Sequence, residues 1–191
     1  MLLPENIIND LVPKLLSIPL RRLGTEVALK EFGWPNENGR FALGNELFLK
    51  PYYTSADADS EVYSLCVPLF LWKNWEPSDY ANFEDYERDK KSFQDEFKRL
   101  SKVLTKLLGD PLKKDKKANF DKESLEINGW LLVYYHQVFW RQGEKLVVLQ
   151  QCESVPDGGA EISLWVLPYS EGSPYLFFSH NNFVRTLKSS F

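Results

Sequence analysis

The sequence lacks the side-chain patterns that mark the common catalytic and metal sites. Its 191 residues include two histidines and two cysteines, which leaves few groups for acid–base chemistry or for binding a transition metal. It contains no GxSxG, HExxH or GxGxxG motif, and its Gly-Gly pair lacks the lysine of a phosphate-binding loop. The sequence therefore predicts no metal and no cofactor, and it favours a non-enzymatic protein over an enzyme.

A secretion signal and a long apolar run are also missing. The N-terminal stretch MLLPENIINDLVPKLL is interrupted by polar residues, unlike a secretory signal. No segment approaches the roughly 20 apolar residues that cross a bilayer. Cys66 and Cys152 stand far apart without a CxxC pattern, as is typical of reduced thiols. We therefore expect a cytoplasmic protein that does not enter the membrane.

Excess positive charge is absent as well. The formal net charge is −4, and residues 1–78 carry seven basic and ten acidic side chains. Because neutralisation of phosphates supplies most of the affinity for nucleic acids, a mildly acidic chain is a poor candidate for binding them. We therefore expect another protein as the partner and no nucleic acid.

Among the features that are present, one amphipathic helix stands out, from about Asn82 to Leu108. Asn82 can cap its start, acidic residues crowd its first turns, and Gly109 and Pro111 follow its end. Steps of three, four and seven place a set of apolar residues on one face. These residues are Tyr86, Phe93, Phe97, Leu100, Leu104 and Leu107. Such a face must be buried against another layer of the protein.

Strand-like, aromatic-rich sequence lies on both sides of this helix and supplies that layer. Aromatic residues make up 15% of the chain, so large rings should fill much of the core. Six runs have strand character: Phe41–Leu43, Glu46–Tyr53, Val62–Trp72, Trp130–Trp140, Lys145–Cys152 and Glu161–Leu167. An N-terminal segment, Pro4–Leu16, has helical periodicity, and Pro13 is expected to kink or end it.

These patterns predict the fold class. We expect an α+β fold in which a mostly antiparallel sheet of about five to six strands packs against one long amphipathic helix, with a short N-terminal helical segment. Because most domains contain about 100–150 residues, residues 1–191 are interpreted as a single domain.

An enzymatic alternative would use His136 and Cys152. His136 or His180 could activate the Cys152 thiol if the side chains came within hydrogen-bonding distance, with a carboxylate such as Glu153 as the third group. No local motif supports this pairing, and a histidine inside a strand is more often structural. The alternative is a small hydrolase or transferase, and it requires these groups to meet around a cleft.

Acidic residues suggest a surface for a basic protein partner. Asp57, Asp59 and Glu61 resemble the start of a calcium loop, but Val62 and Pro68 occupy the positions where that motif needs glycine and glutamate. Trp75 stands at the junction between a strand and the long helix, where an aromatic side chain can close the core or bind a partner. The candidate partner-binding residues are Asp57, Asp59, Glu61, Trp75, Glu76 and Asp79.

The layout of residues 93 to 168 carries a resemblance to a known class. It consists of FQDEFKRLSKVLTKLLGDP, Trp130, GEKLVVLQQCE and AEISLWVLP. This order of helix, tryptophan and paired strands resembles small bacterial cytoplasmic proteins that accompany secreted toxins as immunity proteins. The resemblance implies a compact, acidic, non-enzymatic protein that binds a toxin domain and blocks its active site. Because binding surfaces differ among such proteins, it assigns no role to individual residues.

Three hypotheses follow. The first is a protein-binding module of the immunity type, and the second is the hydrolase or transferase that uses His136 and Cys152. The third is a structural or adaptor module that associates through an exposed aromatic patch. The oligomeric state stays open.

Overall fold

The computed structural model describes residues 3–20, 29–33, 39–44, 47–53, 62–73, 76–114, 124–127, 130–154 and 159–169. These residues form helices α1 (Glu5–Ser17) and α2 (Phe83–Leu108) and the 3-10 turns Lys30–Phe32 and Pro77–Asp79. The strands are β1 (Phe41–Gly44), β2 (Leu47–Tyr53), β3 (Val62–Trp72), β4 (Lys113–Lys114), β5 (Ser124–Ile127), β6 (Trp130–Gln142), β7 (Lys145–Ser154) and β8 (Gly159–Pro168).

The strands form one antiparallel sheet. Its order is β1-β2-β3-β8-β7-β6-β4, and β5 pairs with another stretch of β6. The β6–β7 connection contains Gly143 at a φ of 60°, a left-handed conformation that glycine adopts without a steric penalty. One antiparallel sheet with a short and a long helix confirms the predicted α+β class.

Two strands were not among the six that the sequence predicts. They are β4 and β5, of two and four residues. β4 lies in a lysine-rich run without an apolar pattern, and it is a strand because its backbone pairs with that of Val138 and Phe139. Such a short edge strand is defined by its neighbour and leaves no signal in its own residues.

Helix α2 begins and ends where the sequence predicts. The Asn82 Oδ1 atom accepts a hydrogen bond of 2.9 Å from the Asp85 N–H, which caps the first turn. At the other end, Gly109 adopts a φ of 86° and its N–H donates to the Thr105 carbonyl at 3.0 Å. Gln142 Nε2 donates to the Leu108 carbonyl at 2.7 Å. Both ends of the helix are therefore satisfied by hydrogen bonds.

The buried face of α2 matches the predicted face with one correction. Phe93, Phe97, Leu100 and Leu104 are buried as expected, whereas Leu107 is 37% exposed. At about 100° per residue, the position that returns closest to Leu104 is the fourth along, and Leu108 packs against the core there.

Helix α1 lies beside α2 and buries Ile8, Leu11, Val12 and Leu15. Of the two outcomes expected at Pro13, a kink or an end, the end does not occur, because the helix continues to Ser17. Buried residues on both sides of the proline outweigh the lost hydrogen bond. The Lys145 ammonium donates to the carbonyls of Leu16 and Ile18. A lysine of the sheet therefore satisfies carbonyl groups at the end of α1.

A buried ion pair on α2 joins the helix to the N-terminal segment. Arg99 donates to both carboxylate oxygens of Glu96 at 2.7 Å and to the Leu3 carbonyl at 2.6 Å. The Glu96 side chain is 1% exposed, and its carboxylate raises the pKa of Arg99. Asp95, four residues before Arg99 on the helix, pairs with Lys98 instead.

The sheet is buried on both faces. One face packs on the helices through residues such as Val147, Leu149, Leu164 and Val166. The alternate residues of the same strands point to the other face and are also buried: Leu146, Val148, Trp165 and Leu167. This explains why β7 and β8 read as nearly continuous apolar runs. Across the second face, Gln137, Gln150 and Ser163 lie opposite one another in a buried polar row.

We expect Leu100→Ala to destabilise the protein by about 2–5 kcal/mol, because Leu100 is fully buried and its loss leaves a cavity. Leu107→Ala is the matched control in the same helix, and it should cost less than about 1 kcal/mol because the side chain is partly exposed. Urea unfolding followed by circular dichroism measures both changes. Equal losses would contradict the assigned helix face.

We expect Arg99→Met to destabilise the protein by about 3 kcal/mol, because it leaves the Glu96 carboxylate buried without its cation. Lys98→Met removes the neighbouring cation from the exposed Asp95 pair and should change stability by less than about 1 kcal/mol. The same unfolding measurement compares the two variants. A smaller loss for Arg99→Met than for Lys98→Met would refute the structural role of the buried pair.

Candidate functional site

The start of α2 and the turn before it present the most distinctive exposed surface among the described residues. We define the α2-start surface by Glu76, Asp79, Phe83 and Glu84, all of which are exposed. Phe83 is 66% exposed, more than any other large apolar side chain of the described residues. An exposed aromatic ring in an acid-rich segment is the composition expected of a protein-binding surface.

Local hydrogen bonds build the turn that carries Glu76 and Asp79. The residues between them form a 3-10 turn that starts with Pro77. The Glu76 N–H donates to Asp79 Oδ2 at 3.1 Å, and the Glu76 side chain accepts from the backbone of Asp79. This reciprocal arrangement is a capping box, in which acidic side chains satisfy the free N–H groups of the turn. Both carboxylates therefore stabilise the turn and still face solvent.

A second set of contacts attaches this turn to the sheet. Trp72, at the end of β3, donates through Nε1 to the Tyr80 hydroxyl at 2.7 Å, and this hydroxyl donates to Asp89 Oδ2 at 3.0 Å. The Trp72 ring also contacts Tyr86 and Phe93 of α2, with centroids 5.8 and 5.4 Å apart. The turn is thus held between β3 and the first turns of α2.

The same contacts perturb the Tyr80 phenol. Its partial burial raises the pKa of Tyr80, the hydrogen bond from Trp72 opposes that shift, and the Asp89 carboxylate adds to it. The phenol stays neutral near pH 7 and keeps the hydroxyl proton that it donates to Asp89.

The charge of this region is strongly negative. Residues 76–89 contain six acidic side chains and one basic side chain, Arg88. Arg88 pairs with Asp85 and Asp89, and Lys90 pairs with Glu87 at 3.3 Å. Acidic residues at this end also interact favourably with the helix dipole, so their presence alone does not identify a binding site. Phe83 is different, because one side of its ring contacts Tyr86, with centroids 5.7 Å apart, and the greater part of the side chain is still exposed to water.

The structure describes two of the six residues that the sequence predicts as partner-binding. Glu76 and Asp79 lie side by side in the exposed turn. Asp57, Asp59, Glu61 and Trp75 lie outside the described residues. The sequence did not single out Phe83. It stands directly after the helix cap Asn82 and three residues before Tyr86, at the border of the apolar stripe, so helical spacing does not distinguish burial from exposure there.

The residues of the enzymatic alternative are described only in part. His136 lies on the helix-facing side of β6, and its ring centroid is 5.7 Å from that of Phe97. Its half-buried imidazole therefore packs in the layer between sheet and helix. The side chains of Cys152 and Glu153, like all of His180, lie outside the described residues, so the proposed combination stays a hypothesis.

Cys66 is the other thiol, and its surroundings do not favour a nucleophile. Burial raises the pKa of the Cys66 thiol well above its usual range, with a further contribution from the Glu161 carboxylate. The neighbouring Ser163 hydroxyl donates to Glu161. Within the described ranges, no three His, Cys, Asp or Glu side chains are grouped to hold a metal ion.

No helix in the described part of the chain is long and apolar enough to cross a membrane. Comparison with known proteins returned no match to a family model, to a curated protein or to a solved structure.

Tyr80→Phe should loosen the turn, because it removes the hydroxyl that joins Trp72 to Asp89. We expect a loss of about 1–2 kcal/mol in unfolding free energy and faster amide hydrogen exchange at the first turn of α2. Tyr86→Phe is the control, because it keeps the ring contact with Trp72 and removes a hydroxyl for which the described residues provide no hydrogen bond. Equal exchange in the two variants would be evidence against the anchoring role of Tyr80.

Proposed function

We propose that this protein is a non-enzymatic protein-binding module of the bacterial immunity type, and that the α2-start surface binds a basic surface of a toxin partner. The observation that carries the proposal is Phe83, which is 66% exposed in a segment of the chain that is rich in acidic residues. A large exposed ring costs free energy in water, and binding energy at protein interfaces is concentrated in such residues.

The charge of the surface supports a basic partner. Glu76, Asp79 and Glu84 are exposed, and no ion pair within the described residues neutralises them. Complementary charges accelerate association and suppress binding of other acidic proteins. Toxins that act on nucleic acids need basic surfaces at their active sites, and an acidic ridge around an aromatic anchor would cover such a surface. The immunity role then follows from steric and electrostatic blockage of the toxin.

The rigidity of the surface supports tight binding. The Trp72–Tyr80–Asp89 hydrogen bonds and the capping box hold the turn in place before any partner arrives. A surface that is already ordered loses less conformational entropy when it binds. The resemblance to immunity proteins adds the toxin, the bacterial source and the cytoplasmic location to this proposal.

The experiment that tests the proposal uses the protein encoded by the neighbouring gene. Mixed with the full chain, this purified protein should form a one-to-one complex, measured by light scattering and by calorimetry. The triple substitution Glu76→Lys, Asp79→Lys and Phe83→Ala should weaken the complex at least about 30-fold, as expected for loss of one hot-spot residue worth about 2 kcal/mol. It should also relieve inhibition of the partner's toxic activity.

The matched control changes the same residue types elsewhere. Asp95→Lys, Asp110→Lys and Phe48→Ala also reverse two exposed carboxylates and truncate one exposed phenylalanine. This control should bind within about threefold of the parent chain. If the complex forms with the triple variant of the α2-start surface but not with the control variant, the partner binds another surface. Absence of any complex with the neighbouring product would oppose the immunity role itself.

A further inference from the structure

A pocket of about 320 Å³ lies between α1 and the β1–β2 hairpin. It is formed by elements other than those of the α2-start surface. Its apolar lining consists of Ile7, Leu11, Phe32, Leu43 and Leu47. Leu11 and Leu47 are buried members of the hydrophobic core, while Ile7, Phe32 and Leu43 are half-buried around them. The pocket thus opens at the surface and has its apolar floor on the core.

The lining follows from the geometry of its two walls. Ile7 and Leu11 are four residues apart and therefore lie on one face of α1. The opposite wall is the hairpin, in which β1 pairs with β2. Phe32 closes the pocket from the 3-10 turn beside β1. Side chains from three separate elements therefore converge on one space.

Two opposite charges lie at the same pocket. Asp10 and Lys14 also line it, and both side chains are exposed. An acid four residues before a lysine on an exposed helix face commonly forms an ion pair. Yet no ion pair between Asp10 and Lys14 occurs in the described part of the chain. The carboxylate and the ammonium are thus presented separately beside an apolar space.

We propose that this pocket binds a free amino acid with an aliphatic or aromatic side chain. The side chain of the ligand enters the apolar space, its carboxylate pairs with Lys14, and its ammonium pairs with Asp10. A volume of about 320 Å³ is at the lower end of the roughly 300–1,000 Å³ of small-molecule sites. This size suits one amino acid. The proposal does not depend on the toxin-binding role.

Four probes separate the contributions to binding. Titration of the full chain by calorimetry or by NMR would use L-phenylalanine, its amide, 3-phenylpropionate and phenethylamine. L-phenylalanine should bind most tightly, because it alone carries the ring, the ammonium and the carboxylate. Each of the other probes lacks a carboxylate or an ammonium group and should bind about three- to tenfold more weakly, as expected for loss of one partly exposed ion pair. L-leucine should bind comparably to L-phenylalanine.

Substitutions assign the binding to this pocket. Lys14→Gln should weaken L-phenylalanine about three- to tenfold and leave phenethylamine unchanged, whereas Asp10→Asn should weaken phenethylamine and leave 3-phenylpropionate unchanged. Lys106→Gln, at another exposed helical lysine, is the matched control and should change nothing. Ala42→Trp fills the pocket from an exposed lining position and should abolish binding of all four probes.

Several outcomes would overturn the assignment. Absence of binding up to about 10 mM would show that the pocket holds no such ligand at cellular concentrations. Equal affinities for the four probes would show that only the apolar space matters. Binding that persists in Lys14→Gln and Asp10→Asn would place the site elsewhere. These two exposed substitutions decide the question if Ala42→Trp does not fold, and circular dichroism checks the folding of each variant.

Discussion

The burial of one face of α2 against the antiparallel sheet is the interaction on which the rest of the structure depends. Phe93, Phe97, Leu100 and Leu104 leave water together on one side of the sheet, and α1 adds its own buried face beside them. Burial of a single large apolar side chain is worth about 1.5–3 kcal/mol, so this layer supplies a large part of the driving force for folding. This packing also fixes the position of the first turns of α2 relative to the sheet. Phe93 contacts Phe70 and Trp72 near the end of β3. The turn before the helix therefore lies at that end of the strand, with its acidic side chains exposed.

The sequence was sufficient for the parts of the fold that repeat a pattern. Helical spacing and end signals predicted α2 almost to the residue, and strand-like composition predicted six of the eight strands. Features that depend on tertiary partners could not be predicted in this way. Lys113 and Lys114 form a strand only through the backbone of β6. The Glu96 carboxylate is buried because Arg99 pairs with it, and the Arg99 guanidinium is itself held by the Leu3 carbonyl. Helical spacing alone offers Arg99 two acidic partners, and only the packing of α1 against α2 selects Glu96.

The candidate site was likewise predictable from the sequence only in part, because the rest depends on tertiary packing. The sequence predicts Glu76 and Asp79 as partner-binding residues, and the structure shows both in one exposed turn, where the capping box gives them a structural role as well. Phe83 was not selected, because an aromatic residue beside a helix cap is compatible with either burial or exposure, and only the packing decides between them. The pocket at α1 could not have been predicted at all. It is formed by residues far apart in the chain, and its two charged groups belong to a helix face that reads as ordinary solvent-exposed sequence.

The contact between Lys145 and the end of α1 has a consequence for synthesis. The ammonium group donates to carbonyls 127 and 129 residues earlier in the chain, and Arg99 likewise reaches back 96 residues to Leu3. Helix α1 leaves the ribosome before α2 and the sheet, so its docking site and its last hydrogen-bond donor are made much later. At elongation rates of about 5–20 residues per second, the apolar side of α1 stays without its native cover for several seconds. The apolar side of α1 must therefore stay exposed in the nascent chain without aggregating until the hairpin that carries Lys145 has left the exit tunnel.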